Sequence, residues 1–285
     1  MKKSTKIWLV IGAILTVAGL VMFTAVMTAY RWDFAKLSTV QYKTTTYEVT
    51  EAFTNVFVST KTADIVIAPS PNGKCCVQWH TEEHTNYAVT VQDDTLTIQL
   101  IDEQTVKDYI QYIGIHFGSP KITVYLPEAQ YASLAVKAST GSIRIADICA
   151  DKLDLSVSTG QIAVSDATCT GDITIHVSTG KSHLTDVRCQ NLLSQGDTGD
   201  ITMENVIAAD SFTIERTTGD VTFDRCDASE IFVKTDTGDV RGSLLSEKVF
   251  IAQTDTGSVT VPRVGSGGMC QINTDTGDIF ITIAP

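Results

Sequence analysis

Aspartates recur at fixed positions in the second half of the chain, and carboxylates in such a pattern could bind a cation. They lie two residues before a Thr-Gly glycine or one residue after it: Asp197, Asp236, Asp255 and Asp275, and Asp200, Asp220, Asp239 and Asp278. Both offsets are out of phase with the apolar positions, so we expect an acidic edge that faces outwards. Stacked carboxylates repel each other, and Ca²⁺, which takes several oxygen ligands, would relieve that repulsion. The simpler interpretation is that Asp suits turns and keeps the edge soluble.

Other patterns that could indicate chemistry are weaker. Paired carboxylates hydrolyse glycosidic bonds, but here they recur in every late repeat without a His, Arg or Lys cluster beside them. The segment HTEEH (His80 to His84) has two histidines four residues apart, yet Glu does not follow the first His as in a zinc helix, and a polar loop is the preferred interpretation. We therefore predict no catalytic residues, no cofactor apart from calcium, and a protein that is not an enzyme.

The elements that carry these aspartates repeat at a fixed period. Eight Thr-Gly dipeptides are separated by 19 or 20 residues, with glycines at Gly141, Gly160, Gly180, Gly199, Gly219, Gly238, Gly257 and Gly277. Apolar residues alternate on both sides of each glycine, which is typical of two strands joined by a turn. The inward positions change parity at the glycine, as they do at a corner around one core. We therefore predict an all-β fold, a β-solenoid of about eight coils over 128–285 with these glycines as structural turns, rather than a row of hairpins.

Threonines and cysteines follow the same period. The Thr before each glycine is in phase with the inward set, so its hydroxyl is expected to bond neighbouring coils. By the same parity, the TxT triplets near Thr235, Thr254 and Thr274 are expected to point inwards or into the corner rather than outwards. Three cysteines 20 residues apart, at Cys149, Cys169 and Cys189, are expected to stack, as a disulfide or as small buried side chains.

The region 50–127 is a less regular β segment. Val56, Val58, Ile65 and Ile67 surround Ala63 at the offsets of the later repeats, which indicates a coil with Ala in place of Gly. A hairpin is predicted from Ala88 to Leu100, and KITVYLP from Lys121 re-enters the sheet. Between them lies an irregular insert, 102–120, in which DEQTVKDYIQYI has the spacing of a short amphipathic helix.

An uncharged segment, 7–30, is long enough to cross a membrane as a helix. Lys2, Lys3 and Lys6 precede it, so the positive-inside tendency places the tail 1–6 in the cytoplasm and the β region outside. We predict a single-pass signal anchor followed by a juxtamembrane linker, 31–49. A cleaved signal peptide is the alternative, but the apolar run exceeds the usual 7–15 residues and lacks a small-x-small site.

The charge distribution separates this leader from the rest. The chain carries a net charge of −12; residues 1–36 carry five Lys or Arg and one Asp, which leaves −16 for residues 37–285. No basic stripe is present for a polyanion, so nucleic acid is not an expected partner.

The tandem units STGSI, DTGDI and DTGDV, together with KITVYLP and the N-terminal helix, resemble the bacterial putative-adhesin family, a domain of unknown function with β-strand repeats. The resemblance covers about 50–285. Within the family, the chain is similar to membrane-anchored members that accompany envelope-stress operons of the Lia type. It implies no catalytic residues that could be carried over. Ser182, Gly196 and Arg216 depart from the apolar pattern, which predicts looser or bulged coils there.

Three functions follow from these observations. The first is a non-enzymatic envelope module that binds cell-wall polymer, another surface or a membrane protein. The second is a regulatory or sensory accessory of an envelope-stress pathway that acts through a membrane partner, and the third is a glycan-active enzyme. Binding without turnover would favour the first, loss of signalling on helix replacement the second, and product release the third.

Overall fold

The computed structural model describes residues 3–33, 42–82, 85–101, 119–263 and 265–284. Two compact units make up the chain, one that contains the N-terminal helix and one that contains Lys43–Asp102 and Ser119–Pro285. The first has one described helix, and the second consists of strands. The proposed short helix in DEQTVKDYIQYI lies outside the described residues.

Helix α1 spans Lys3–Ala29. Its segment Thr5–Ala29 has a mean hydropathy of 2.5 and is long and apolar enough to cross a membrane. Apolar side chains such as Ile7, Leu15 and Val21 are exposed along it. A helix that is apolar on all sides needs an apolar environment, and the segment therefore has the properties of a membrane anchor or a signal peptide.

The strands of the second unit form a single sheet that winds around one core. In chain order they are β1 (Tyr42–Val49), β2 (Asn55–Thr62), β3 (Asp64–Pro69), β4 (Cys75–Glu82), β5 (Asn86–Gln92), β6 (Thr95–Ile101), β7 (Lys121–Leu126), β8 (Gln130–Tyr131), β9 (Ser133–Ala150), β10 (Leu153–Cys169), β11 (Asp172–Thr198), β12 (Ile201–Glu204), β13 (Ile207–Thr218), β14 (Val221–Cys226), β15 (Glu230–Thr237), β16 (Val240–Leu244), β17 (Lys248–Thr256), β18 (Val259–Thr260), β19 (Gly268–Thr276) and β20 (Ile279–Ile283).

Each Thr-Gly repeat is one coil of a β-solenoid, as predicted. Strand β10 pairs in parallel with β9 and β11 so that Gly160 lies between Gly141 and Gly180. The alternating apolar residues on both sides of these glycines, for example Leu155 and Ile162, are buried in one continuous core. The parity change at the glycine therefore marks a corner around this core.

Gly180 shows why the corner needs glycine. Its φ is 139°, in a region that L side chains rarely adopt, and a Cβ built on it would lie 1.5 Å from the carbonyl oxygen of Gly160. The coils approach each other so closely at this corner that a side chain has no space. A second corner follows six residues after the glycine, where Asp147, Asp166 and Asp186 have φ between 52° and 56°. Asp and Asn adopt this left-handed conformation more readily than most residues.

The order of the coils in space differs from their order in the chain at the C-terminal end. Strands β19 and β20 pair with β15 and β16 on one side and with β17 and β18 on the other. The coil that contains Gly277 therefore lies between the coils that contain Gly238 and Gly257. Coils that stacked in chain order would place the Gly277 coil outermost; here the Gly257 coil is outermost.

The opposite end has a similar inversion. The coil formed by β2 and β3 pairs with β9, which places Thr62 beside Thr140, and it confirms the coil predicted around Ala63. Strands β6 and β7 pair with the other side of β2 and β3. Strands β5 and β4 add to them in antiparallel orientation, and the β5–β6 hairpin agrees with the one predicted from Ala88 to Leu100.

The first strand occupies part of the segment that we assigned to the juxtamembrane linker. Residues 42–49 form β1, which pairs with β4, because a segment rich in Thr, Tyr and Val readily adds a strand to the available edge of β4. From Tyr42 to Val49, the segment assigned to the linker is therefore a strand of the sheet.

Candidate functional site

The four aspartates that follow the corner glycines form a continuous row, the aspartate ladder (Asp200, Asp220, Asp239 and Asp278). Each carboxylate accepts a hydrogen bond from the backbone N–H of the next member: Asp220 N lies 3.2 Å from Asp200 Oδ1, and Asp239 N lies 2.8 Å from Asp220 Oδ1. Asp278 N is 2.7 Å from Asp239 Oδ1, although Ser258 separates them in the repeat order. The inverted order of the last two coils is what makes the ladder continuous.

The ladder therefore satisfies backbone donors at a corner where the chain changes direction. At its end, the N–H and the hydroxyl of Ser258 both donate to Asp278 Oδ1 at 2.9 Å. The same arrangement occurs in the first coil, where Ser142 N donates to Asp64 Oδ1 at 2.8 Å. Buried or crowded backbone N–H groups that lack an acceptor destabilise a fold. These carboxylates consequently stabilise the stacking of coils.

Two cations reduce the repulsion within the ladder. Lys181 Nζ lies 2.9 Å from Asp200 Oδ2, and Arg241 forms ion pairs with Asp239 and Asp278. The hydrogen bond from Lys181, with the backbone N–H of Asp220, lowers the pKa of Asp200. The backbone N–H and hydroxyl of Ser258 lower the pKa of Asp278. Both carboxylates are thus stabilised in their ionised form by groups of the protein.

The aspartates two residues before the glycines form a separate set, the outer aspartates (Asp197, Asp236, Asp255 and Asp275). They are exposed, apart from the half-buried Asp236. Among the described residues, no group of three or more His, Cys, Asp or Glu side chains has the geometry to hold a metal ion. The structure thus links the ladder aspartates to one another, and the calcium edge stays a prediction.

The described part of the histidine segment, up to Glu82, lies in a strand rather than a loop. His80 is part of β4, and its Nδ1 is 2.9 Å from Thr44 Oγ1 of the adjacent strand β1. Alternating burial along CCVQWHTE shows why a strand forms there. Glu83 and His84, the other half of the motif, lie outside the described residues.

The threonines divide according to their distance from the glycine. Thr235 and Thr274, three residues before a corner glycine, are buried, and the hydroxyl of Thr274 donates to the Gly238 carbonyl at 3.1 Å. Thr237 and Thr276, directly before the glycine, are exposed. The expectation that the threonines directly before the glycines point inwards is wrong. The alternation of buried residues ends three residues before the glycine, because the chain already bends into the corner there.

All seven cysteines are free in the structure. Cys149 is exposed and aligns with Thr168 rather than with Cys169, so the predicted stack of three does not form. Cys169 and Cys189 are buried. Burial raises the pKa of Cys75, Cys189 and Cys270 to about 12 and that of Cys226 to about 11.

We expect Cys149 to be the one thiol that reacts rapidly in the folded protein. The thiolate is the nucleophile, and burial keeps the other thiols protonated and inaccessible, with the half-buried Cys76 intermediate. Labelling with a maleimide at pH 8, followed by peptide mass spectrometry, should show one rapid site, which Cys149→Ser removes and Cys270→Ser does not. Rapid labelling of Cys189 or Cys270 would contradict the burial seen here.

One departure from the apolar core pattern creates a distinct groove. Arg216 occupies an inward position and is 5% exposed; its Nη2 donates to Ser194 Oγ at 2.8 Å and its Nη1 to the Glu215 carbonyl at 2.9 Å. Gly196 pairs with Arg216 in regular register, so the coil is not bulged there. Beside them is a groove of about 400 Å³, the Arg216 groove, whose lining includes His176, Gln195, Gly196, Arg216, Thr217 and Lys234.

Gly196 provides the space for the guanidinium. A Cβ on Gly196 would lie 3.1 Å from Arg216 Nη1 and 2.4 Å from the Val177 carbonyl oxygen. Three inward positions that usually hold apolar side chains thus act together. Ser194 accepts a hydrogen bond from the guanidinium of Arg216, and Gly196 leaves the space that this group fills. The sequence indicates this site only through Gly196 and Arg216, which interrupt the apolar pattern. It does not indicate the hydrogen bond that joins Arg216 to Ser194 in the neighbouring coil.

Comparisons with known proteins agree with this architecture. The family model described as Toastrack DUF4097 matches residues 53–284. A crystal structure of a putative adhesin from Bacteroides fragilis is 17% identical over 85% of this chain and 97% of that chain, with a TM-score of 0.53. A putative lipid binding protein from Parabacteroides distasonis is 12% identical over 86% of this chain and 98% of that chain, with a TM-score of 0.50. At these identities the likeness shows the fold alone, and the search of curated proteins found no match.

Proposed function

Because the chain belongs to the Toastrack DUF4097 family, we propose that it is a membrane-anchored, non-enzymatic binding module of the cell envelope. Helix α1 holds the protein in the membrane with its N-terminus in the cytoplasm, and the solenoid lies outside. The solenoid binds cell-wall polymer or a surface protein. The names of two structural neighbours, an adhesin and a lipid binding protein, support a binding role of this kind.

The repetition of the coils is the observation that carries this proposal. Equivalent outward residues, such as Gln195 and Glu215, recur in successive coils, which are spaced by roughly 4.8 Å. Solenoids use such surfaces to bind extended partners, and a repeating partner can engage several equivalent positions at once. Some of the aspartates that suggested chemistry in the sequence accept hydrogen bonds from the backbone of neighbouring coils, and the others lie at the surface.

We expect vesicles that carry the full-length protein to sediment with isolated bacterial cell walls in a saturable way. Protein-free vesicles of the same lipid composition provide the control. Parallel samples with Ca²⁺ and with a chelator test the calcium hypothesis. Release of sugars or peptides from the walls during incubation would contradict a non-enzymatic role.

A matched variant separates calcium binding from folding. Replacing Asp236, Asp255 and Asp275 with Asn neutralises outer aspartates while it leaves the ladder and its backbone hydrogen bonds unchanged. If Ca²⁺ promotes wall binding, this variant should lose the calcium dependence and keep its melting temperature. The absence of wall binding in both conditions would contradict cell-wall polymer as the ligand and favour a surface or membrane protein as the partner.

A further inference from the structure

Arg216 is a buried cation without a carboxylate partner. The ion pairs among the described residues do not include it, and both of its hydrogen bonds go to neutral oxygens, Ser194 Oγ and the Glu215 carbonyl. Burial lowers the pKa of Arg216 to about 10, and no acidic neighbour raises it. The side chain is therefore charged at neutral pH. A buried charge without a counter-charge destabilises a protein, commonly by several kcal/mol.

The guanidinium is nevertheless accessible from the groove. Arg carries five N–H donors, and two hydrogen bonds leave the others available. Among the described residues, Ser182 Oγ is the single side-chain polar atom that is fully occluded and has no partner. Arg216 Nε makes neither of these two hydrogen bonds and is not fully occluded, and the side chain lines the groove of about 400 Å³. This arrangement places the guanidinium, with its Nε–H group unbonded, in the wall of a polar groove.

The charges at the mouth of the groove limit what can enter. Lys234 and His176 lie on one row of outward positions, while Asp197, Asp236 and Glu215 also line the groove. Glu215 Oε2 accepts a hydrogen bond from Gln195 Nε2 at 2.8 Å. Three carboxylates around one deep cation repel a ligand with several negative charges. A single anionic group on a carrier with hydroxyl, amide or ammonium groups has complementary partners on all sides.

We propose that the Arg216 groove binds a singly charged oxyanion, a carboxylate or a phosphodiester, carried on a polar molecule. Such a group matches the fork of the guanidinium, which can donate two parallel hydrogen bonds to two oxygens. Gly196 and Arg216 line this site, and the buried Ser194 holds the guanidinium in position. The inference deepens the proposed function, and it depends on that function only for the source of the ligand, a wall sugar or a wall phosphodiester.

The test is to titrate small ligands into the full-length protein in detergent micelles. Calorimetry and the NMR signal of the Arg216 Nε–H group both measure binding. N-acetylmuramic acid supplies the carboxylate, dimethyl phosphate the phosphodiester, N-acetylglucosamine the uncharged control and citrate the multiply charged control. We expect one or both monoanions to bind with a Kd of about 1 mM and to shift the Nε–H signal. The two controls should bind at least tenfold more weakly.

Variants assign this binding to the groove. Arg216→Met should raise the Kd at least tenfold without lowering the melting temperature, because apolar replacement of a buried charge is commonly neutral or stabilising. Lys137→Met, which removes an exposed cation in the first solenoid coil from the same row of outward positions as His176 and Lys234, should leave the Kd unchanged. Arg216→Lys keeps the charge without the fork and should also weaken binding. The NMR signal of the unmodified protein gives an answer even if a variant does not fold.

The outcomes separate this inference from the proposed function. Equal affinity in Arg216→Met, or no shift of the Nε–H signal with any monoanion up to about 50 mM, would overturn the oxyanion site. Anion binding by a protein that does not bind cell walls would support the site and contradict the wall-binding function. Wall binding without anion binding would support the wall-binding function and contradict the oxyanion site.

Discussion

Replacing Gly180 with alanine should lower the free energy of unfolding of the solenoid by about 4 kcal/mol. Two effects combine at this position: a φ of 139° that alanine rarely adopts, and a Cβ that would lie 1.5 Å from the Gly160 carbonyl oxygen. Because that oxygen belongs to the backbone of the adjacent coil, the clash is relieved only if the coils separate. Gly180 lies inside the stack, so the separation affects the coils on both sides.

Thermal unfolding of the full-length protein in detergent, followed by the β-sheet circular dichroism signal, measures this effect. The melting temperature should fall by about 8–16 °C for a unit of this size. Gly265→Ala is the matched control, because a Cβ at Gly265 would contact no atom within 4 Å and its φ is not in the left-handed region. An equal melting temperature for Gly180→Ala and Gly265→Ala would contradict the close stacking of the corners.

Gly277→Ala should destabilise the protein by about 3 kcal/mol, and more than Gly257→Ala does. The local clashes are nearly the same: the added Cβ would lie 2.0 Å from the Gly238 carbonyl oxygen in the first variant and 2.1 Å from that of Gly277 in the second. The difference comes from position. Disruption of the Gly277 coil also removes the support of the outermost coil, whereas disruption of the Gly257 coil affects that coil alone.

Hydrogen exchange with mass spectrometry can distinguish the two cases. In Gly277→Ala, both β17 (Lys248–Thr256) and β19 (Gly268–Thr276) should lose protection, while in Gly257→Ala the loss should be confined to β17 and β18. Stacking in chain order would produce the opposite ranking. That ranking would disprove the inverted order of the last two coils.

The period of the glycines and the parity of the apolar residues were sufficient to predict the solenoid, because both are local properties of every repeat. The order of the last coils was not predictable from them. Units such as DTGDV and DTGDI present nearly the same apolar and hydrogen-bonding groups to a neighbour, so pattern alone does not rank their pairings. Contacts such as the one between Asp278 N and Asp239 Oδ1 are available only in the inverted order.

Prediction of the site failed for a related reason. The sequence showed that Gly196 and Arg216 interrupt the core, but the role of each depends on a partner in the next coil. The acceptor for the guanidinium is Ser194, which is 22 residues away along the chain. The sequence predicts one outward acidic edge that contains all eight aspartates, while the hydrogen bonds of the ladder to the backbone depend on a side-chain direction that spacing alone does not specify. The second corner had a sequence signal, Asp or Asn six residues after the glycine, that the pattern analysis overlooked.

The inverted position of the Gly257 coil also determines the order in which the protein can be assembled. At a synthesis rate of about 5–20 residues per second, the Gly257 repeat is complete about one to four seconds before the Gly277 repeat that it pairs with. During that interval β17 and β18 have no native strand to pair with, because they pair only with β19 and β20. The preceding strands β15 and β16 can already pair with β13 and β14. Residues 265–284 therefore close the structure by entering between two existing segments, and a chain that is interrupted within them leaves an unpaired strand that other chains can capture.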